Sequence, residues 1–338
     1  MIFTNAMQPE AAPPEGEGRR ARSDRARTLL FAGCVVAVTA VIFVVFNILT
    51  HGVFLGWTNI KVLLGQMVWP SFMAWGMTFL FACGYTDLSW GAVVVLGSFA
   101  TGVFGNQYGL AGAIFAGVLV GTVLVFANFC IFAFTKIPSW IAGISLAMVY
   151  EAISVFLKTN PRTGPLVEKP LDKGLQFLAH LPHSLIILAA GLVLVYFLFN
   201  KTSIGFNIRA IGGNEKVATA LGVNLKKTLL WVGLITGILI GVTSFLQESY
   251  SGYTTVKTGL TSIFLIFQPL AIALLADIMQ KRINVIIAVP ICSFLLFAVF
   301  NCLTLMHVES GTLQEAALCL FLIVFGVIGQ RKVKGVVK

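Results

Sequence analysis

Charge is what this chain has least of. Only 11% of its 338 residues are charged, with 13 acidic side chains against 23 basic ones, while 58% are hydrophobic. Mean hydropathy is +0.93. An ordinary soluble globule carries about 25% charged residues, so that class is excluded. Catalytic signatures are missing as well. The chain has no Gly-x-x-x-x-Gly-Lys-Ser/Thr phosphate loop, no Gly-x-Ser-x-Gly elbow and no His-Glu-x-x-His metal helix. It therefore has no visible means of hydrolysing ATP by itself, and no cofactor is expected. The six cysteines (Cys34, Cys83, Cys130, Cys292, Cys302 and Cys319) sit in or at the ends of apolar runs without paired metal spacing. They read as small apolar packing residues. The four histidines form no ligand cluster, so no metal site is expected.

What is present is hydrophobic length. Apolar runs near or above the span of a bilayer recur from Leu29 to Gly329. Lipid offers backbone amides no water, so such runs must be helices. The expected fold is an all-α polytopic membrane protein of about ten transmembrane helices. They are placed roughly at 28–50, 60–83, 90–105, 110–134, 138–157, 183–200, 227–248, 260–279, 284–304 and 312–329. Trp69-Pro70 is expected to interrupt the second helix, and Asn106-Gln107 to be a tight connection. Residues 158–182 read as a longer loop.

Basic residues set the orientation. Arg19, Arg20, Arg22, Arg25 and Arg27 close a polar tail, 1–27, expected to be disordered and cytosolic. No apolar run precedes them, so no cleavable signal peptide is expected. No aromatic or folded reader accompanies them either, so nucleic acid is not an expected partner; membrane lipid is. With the N-terminus inside, Lys136, the basic residues of 201–227, Lys281, Arg282 and the basic tail 331–338 also fall inside. Only Lys61, Lys158, Arg162, Lys169, Lys173 and Lys257 fall outside. The asymmetry predicts N-in, C-in and an even number of spans for the domain 28–330. Gly84-Tyr85-Thr86 after the second span and Gly252-Tyr253-Thr254 after the seventh hint at an internal duplication. A five-span offset would invert one repeat relative to the other, a common transporter device.

Five carboxylates lie within or at the edges of spans: Asp87, Glu151, Glu248, Asp277 and Glu315. They are expected to reach water or a helix N-terminus, with an ion relay as the alternative. Uncharged polar residues deep in the spans are Gln66, Asn128, Gln247, Gln268 and Asn301. Either they line a translocation path or they bind across helices. Gly117 and Gly121 suit close helix packing.

The longest polar interruption of the second half is Lys201–Lys227. Asn214 is a good N-cap, Glu215 suits the positive end of a helix dipole and Gly222 suits a C′ position. A short helix over Glu215–Leu221 follows, with Val217 and Leu221 on one face and Ala218 beside Val217. A helix so short is unstable alone. It is either a connector over the cytosolic helix ends or an amphipathic stub whose apolar face enters a groove on a partner.

Asp87-Leu88-Ser89 with Gly91 resembles the Gly-x-Asp-Leu-Ser-x-Gly motif of ATP-binding-cassette (ABC) importer permeases of the ribose and simple-sugar type. Gly205-Phe206-Asn207-Ile208-Arg209-Ala210-Ile211-Gly212-Gly213-Asn214-Glu215, then Ala218 and Gly222-Val223-Asn224, is similar to that family's cytosolic coupling segment. The likeness covers most of 60–330. It implies a permease in the bacterial cytoplasmic (inner) membrane. The expected partners are cytosolic ABC ATPase subunits, a second permease copy or a related permease, and an extracytoplasmic solute-binding protein. It also implies that Gly212, Gly213, Asn214, Glu215, Val217, Ala218, Leu221 and Gly222 belong to the ATPase-docking element, and that Asp87 and Ser89 cap the third helix. Where the family carries a Gly-Gly-x-Ser-Leu-x-Gly-Gly turn, this chain reads Ala273 to Arg282 with bulky residues. That departure points to different packing there, to pairing with a different permease, and to a solute other than ribose. The leading expectation is an ATP-driven importer permease for a sugar or sugar-like solute. The alternatives are a ten-helix secondary carrier of the drug/metabolite type and an intramembrane enzyme or scaffold.

Overall fold

A computed structural model describes Gly33 and residues 39–330, apart from 136, 161, 163–168, 281 and 309–311. The tails expected at 1–27 and 331–338 lie outside the described residues, as do Lys136 and Lys281. Among the described residues all the regular structure is helical, with no strand. In order the helices are α1 (Thr39–Leu49), α2 (Trp57–Gln66), α3 (Val68–Ala82), α4 (Trp90–Thr135), α5 (Ser139–Thr159), α6 (His183–Lys201), α7 (Ser203–Gly213), α8 (Glu215–Ala220), α9 (Leu225–Ser251), α10 (Phe264–Met279), α11 (Val285–Leu305) and α12 (Thr312–Gln330). A 3₁₀ turn over Thr261–Ile263 leads into α10, and another, Lys173–Ala179, orders part of the 158–182 loop. Among the described residues, six segments are long and apolar enough to cross a membrane: α4, α5, α6, α9, Thr261–Met279 and α11.

The 46 residues of α4 would span about 69 Å as a straight rod, over twice the hydrocarbon thickness. They do not run straight. Gly109 sits at φ 72°, ψ −162°, open only to glycine, and the helix folds back there. A Cβ placed on Gly117 would lie 2.4 Å from Thr101 Oγ1. In a straight helix those residues would be about 24 Å apart. Gly105 faces Ala113 in the same way. The connection expected at Asn106-Gln107 therefore falls at Gly109, because glycine alone takes the required dihedrals. The interruption expected at Trp69-Pro70 falls earlier, at Met67. Pro70 stands in the first turn of α3, where its missing amide donor has no helical partner to lose.

The second half of α4 packs antiparallel on α9 through small residues. A Cβ on Gly121 would approach Gly241 Cα to 2.4 Å, and one on Gly237 would approach Thr122 Cα to 2.9 Å. The backbones touch because no side chain separates them, as expected for Gly117 and Gly121. The surrounding core contains Trp75, Phe79, Trp90 and Phe129, all buried.

Two helix ends repeat one device. Gly84 after α3 and Gly252 after α9 both take left-handed φ, +77° and +80°. From each the chain runs in non-helical backbone back into the protein before the next helix begins. The two new helix starts then meet: a Cβ on Gly91 would sit 2.0 Å from the Ser262 carbonyl oxygen. Glycine is required at that contact.

Candidate functional site

The short helices α7 and α8 form one end of the molecule. Thr202 caps α7, its hydroxyl accepting the Gly205 amide at 3.3 Å. Gly205 and Gly212 then let α7 lie directly on its neighbours. Cβ atoms there would fall 2.1 Å from the Phe199 carbonyl oxygen and 2.0 Å from that of Ala82. Arg209 donates to the Phe199 carbonyl and stacks over the Phe199 ring, 5.0 Å from its centroid. Thus α7 is fastened to the ends of α3 and α6, and moving it moves them.

Helix α8 forms as its sequence dictates. The Asn214 side chain accepts the Val217 amide at 3.1 Å, and Glu215 stands in the first turn. At its other end Gly222 takes φ +90°. Its amide donates to Thr219 O, while the Val223 amide donates to Ala218 O, both at 3.0 Å. This is the Schellman pattern. The helix ends at Ala220, with Leu221 as its cap rather than its last residue. Asn224 then caps α9 by accepting the Lys227 amide.

Presentation of the stub differs from expectation at one residue. Val217 is 53% exposed and Leu221 80% exposed, whereas Ala218 is only 2% exposed. Ala218 therefore anchors the stub, and Val217 and Leu221 are what it offers outward. Leu221, Ala218, Phe206, Ala210 and Trp231 line an open cleft of about 790 Å³ between α7, α8 and the start of α9. A second cleft of about 410 Å³, beside Arg209, Gly212, Thr78 and Asp277, lies between α7 and the ends of α3 and α10.

Asp87 and Ser89 lie in a separate polar cluster, buried to 2% and 0% exposure. The Asp87 carboxylate accepts the Ser89 amide at 2.8 Å, the Trp90 indole N–H at 3.1 Å and the Asn128 amide at 2.9 Å. Asn128 also donates to Ser89 Oγ, and its own carbonyl accepts the Tyr150 hydroxyl at 2.6 Å. The cluster ties the start of α4 to its far half and to α5. Glu151, also buried, accepts the Leu260 and Ser262 amides at 2.8 Å each, holding the re-entrant segment before α10. Glu248, likewise buried, accepts the Thr254 hydroxyl at 2.6 Å.

Of the five carboxylates expected to reach water or a helix start, Asp87 and Glu151 thus take helix-start amides. Asp277 and Glu315 are exposed. Glu248 does neither. It is held under the α9 end because the chain after Gly252 folds back over it, which no local pattern announces.

The five uncharged polar residues do not converge. Gln66 hydrogen-bonds the Tyr250 hydroxyl, and Asn128 belongs to the Asp87 cluster. Asn301 exchanges amide hydrogen bonds with Asn59 on α2, at 2.8 and 2.9 Å. Gln247 is buried with its carbonyl oxygen unpartnered. Gln268 lines a cavity at the end of the molecule away from α7 and α8. Tyr150 and Arg209 were not singled out as site residues by sequence reasoning. Only Arg209 had a signal, as part of the 205–215 stretch.

The family model described as "Branched-chain amino acid transport system / permease component" matches residues 59–328. The ribose import permease protein of Bacillus subtilis is 29% identical over 54% of this chain and 57% of its own length. The chain therefore spans little more than half of that relative. An L-arabinose ABC transporter permease protein of Azospirillum brasilense is 26% identical, covering 76% of each chain. The L-arabinose transport system permease protein of Escherichia coli is 26% identical over 64% of this chain and 66% of its own. No solved structure matches significantly. Matched over most of its length, the chain belongs to the branched-chain amino acid transport system / permease component family.

Proposed function

We propose that this permease component is the membrane-spanning subunit of an ABC importer that moves a monosaccharide or similar polyol into the cytoplasm. Its home is then the bacterial inner membrane, with both termini inside. Ten crossings follow from counting α2–α3 as one broken span and the two arms of α4 as two, together with α1, α5, α6 and α9 to α12. The matching left-handed glycines at Gly84 and Gly252, and the meeting of the two following helix starts, support inverted repeats.

The observation that carries the reading is the α7–α8 pair. A solvent-facing stub presents Val217 and Leu221, while Gly212 and Arg209 lock its neighbour to spans α3 and α6. An ATPase subunit gripping that apolar edge would displace α7 and α8 as a rigid body. The motion would pass to α3 and α6 through contacts that leave no slack. ATP binding and hydrolysis in the partners would thereby switch a pair of permeases, identical or related, between outward- and inward-facing states. An extracytoplasmic binding protein would deliver the solute. The sugar permeases among the relatives favour sugar over amino acid as the cargo.

Reconstitution of the chain with its ATPase and binding protein in proteoliposomes tests this. Solute accumulation should require ATP on the ATPase side and stop when the ATPase is omitted. Accumulation driven by a proton gradient without any ATPase would refute it.

A further inference from the structure

Away from α7 and α8, a cavity of about 300 Å³ opens between α3, α10, α11 and α12. Its place follows from α11, which starts at Val285 beside Arg209 and Gly212 and reaches Phe300 about 22 Å further on. The volume is at the lower end of small-molecule pockets, which run from about 300 to 1,000 Å³.

The lining has two components. Trp69, Phe264, Phe267 and Phe300 supply aromatic rings. Lys257, Gln268 and Glu315 supply an ammonium, an amide and a carboxylate, and the Trp69 indole adds an N–H donor. In the packed interior Trp75 and Trp90 donate their indole N–H groups and Asn59 pairs with Asn301, although Gln247 keeps an unpartnered carbonyl oxygen. Here the polar groups are unpaired. Among the described residues, Trp69, Lys257, Gln268 and Glu315 have no hydrogen-bond or ion-pair partner. Lys257 and Glu315 share the cavity without bridging to each other.

A cavity that keeps rings beside unpaired donors and acceptors suits a ligand with apolar C–H faces and many hydroxyls. Hydroxyl groups both donate and accept, so one ring sugar can satisfy the ammonium, the carboxylate and the amide together. We propose that this cavity is a contact site for a monosaccharide on its way through the permease, with Gln268 and Glu315 as residues that select it. This rests on the importer reading above and adds to it. A binding protein would supply affinity, and this site would filter what it releases.

The test uses the full-length chain in lipid nanodiscs and saturation-transfer NMR, with D-ribose, L-arabinose, D-xylose and L-leucine as separate probes at millimolar concentration. At least one sugar should receive saturation. Its apparent affinity should fall about tenfold in Gln268→Leu and in Glu315→Gln, with thermal unfolding unchanged. Glu315→Gln preserves shape at an exposed position, so it answers the question even if Gln268→Leu folds poorly. No sugar signal, a wild-type signal in both variants, or a signal for leucine alone would overturn the site. The importer reading is judged separately. ATP-dependent sugar uptake at the wild-type rate in both variants would remove the site and leave that reading standing, whereas uptake without the ATPase would remove the reading.

Discussion

Leu221→Asp is the sharpest perturbation of the proposed coupling surface. Leu221 caps α8 with 80% of its surface exposed, so almost all of its apolar area is available to a partner. Burying a leucine contributes about 1.5–3 kcal/mol, and an aspartate in the same groove would also have to shed water without a paired cation. At about 1.4 kcal/mol per tenfold change, the ATPase should bind at least about tenfold more weakly and as much as about 100-fold. The fold should not notice, because substitutions at such exposed positions usually stay within about 0.5 kcal/mol. The assay is equilibrium binding of the purified ATPase to nanodisc-embedded permease, with thermal unfolding of the same sample alongside. Wild-type affinity in Leu221→Asp and again in Val217→Asp would refute the docking surface. Ala218→Trp could not serve, since Ala218 is buried and a tryptophan there would dislodge the stub itself.

Two further outcomes follow. Asn214→Ala removes the side chain that accepts the Val217 amide, which should cost about 1 kcal/mol at the α8 start; amide exchange should quicken across 215–220 and ATP-driven uptake should fall, while the spans keep their protection. Gly121→Leu forces a side chain where even a Cβ would lie 2.4 Å from Gly241 Cα, so the α4–α9 contact must open and the melting temperature should drop sharply, with Gly174→Ala, in open space, as the neutral control.

Much of the α8 stub was legible because its determinants are local. Asn214, Glu215 and Gly222 act on amides and carbonyls within four residues, so their types and spacing dictate a capped turn of helix. That Val217 and Leu221 share one face followed from the same spacing, but the outward direction of that face did not. Nor did the inward placement of Ala218, because it depends on α7 lying alongside. Gln66, Asn128, Gln247, Gln268 and Asn301 looked alike as polar residues in apolar runs. Three of them turned out to be hydrogen-bonded across helices, and partner choice over that distance leaves no periodic trace. Gln268 alone faces a cavity with its amide unpartnered, and its company there comes from segments as far apart as Trp69 and Glu315.

Hydrophobic run length by itself determined that this protein is helical and made for a membrane, since lipid leaves a backbone no alternative. Local cap chemistry determined the stub between Asn214 and Gly222. Tertiary structure decided what distant parts of the chain do to each other. It decided that α4 folds back at Gly109, that Gly91 meets Ser262, and that Glu151 holds amides more than a hundred residues away. Those outcomes turn on close approach of backbones and on burial of charge. Both are properties of packed surfaces, and no single segment carries them.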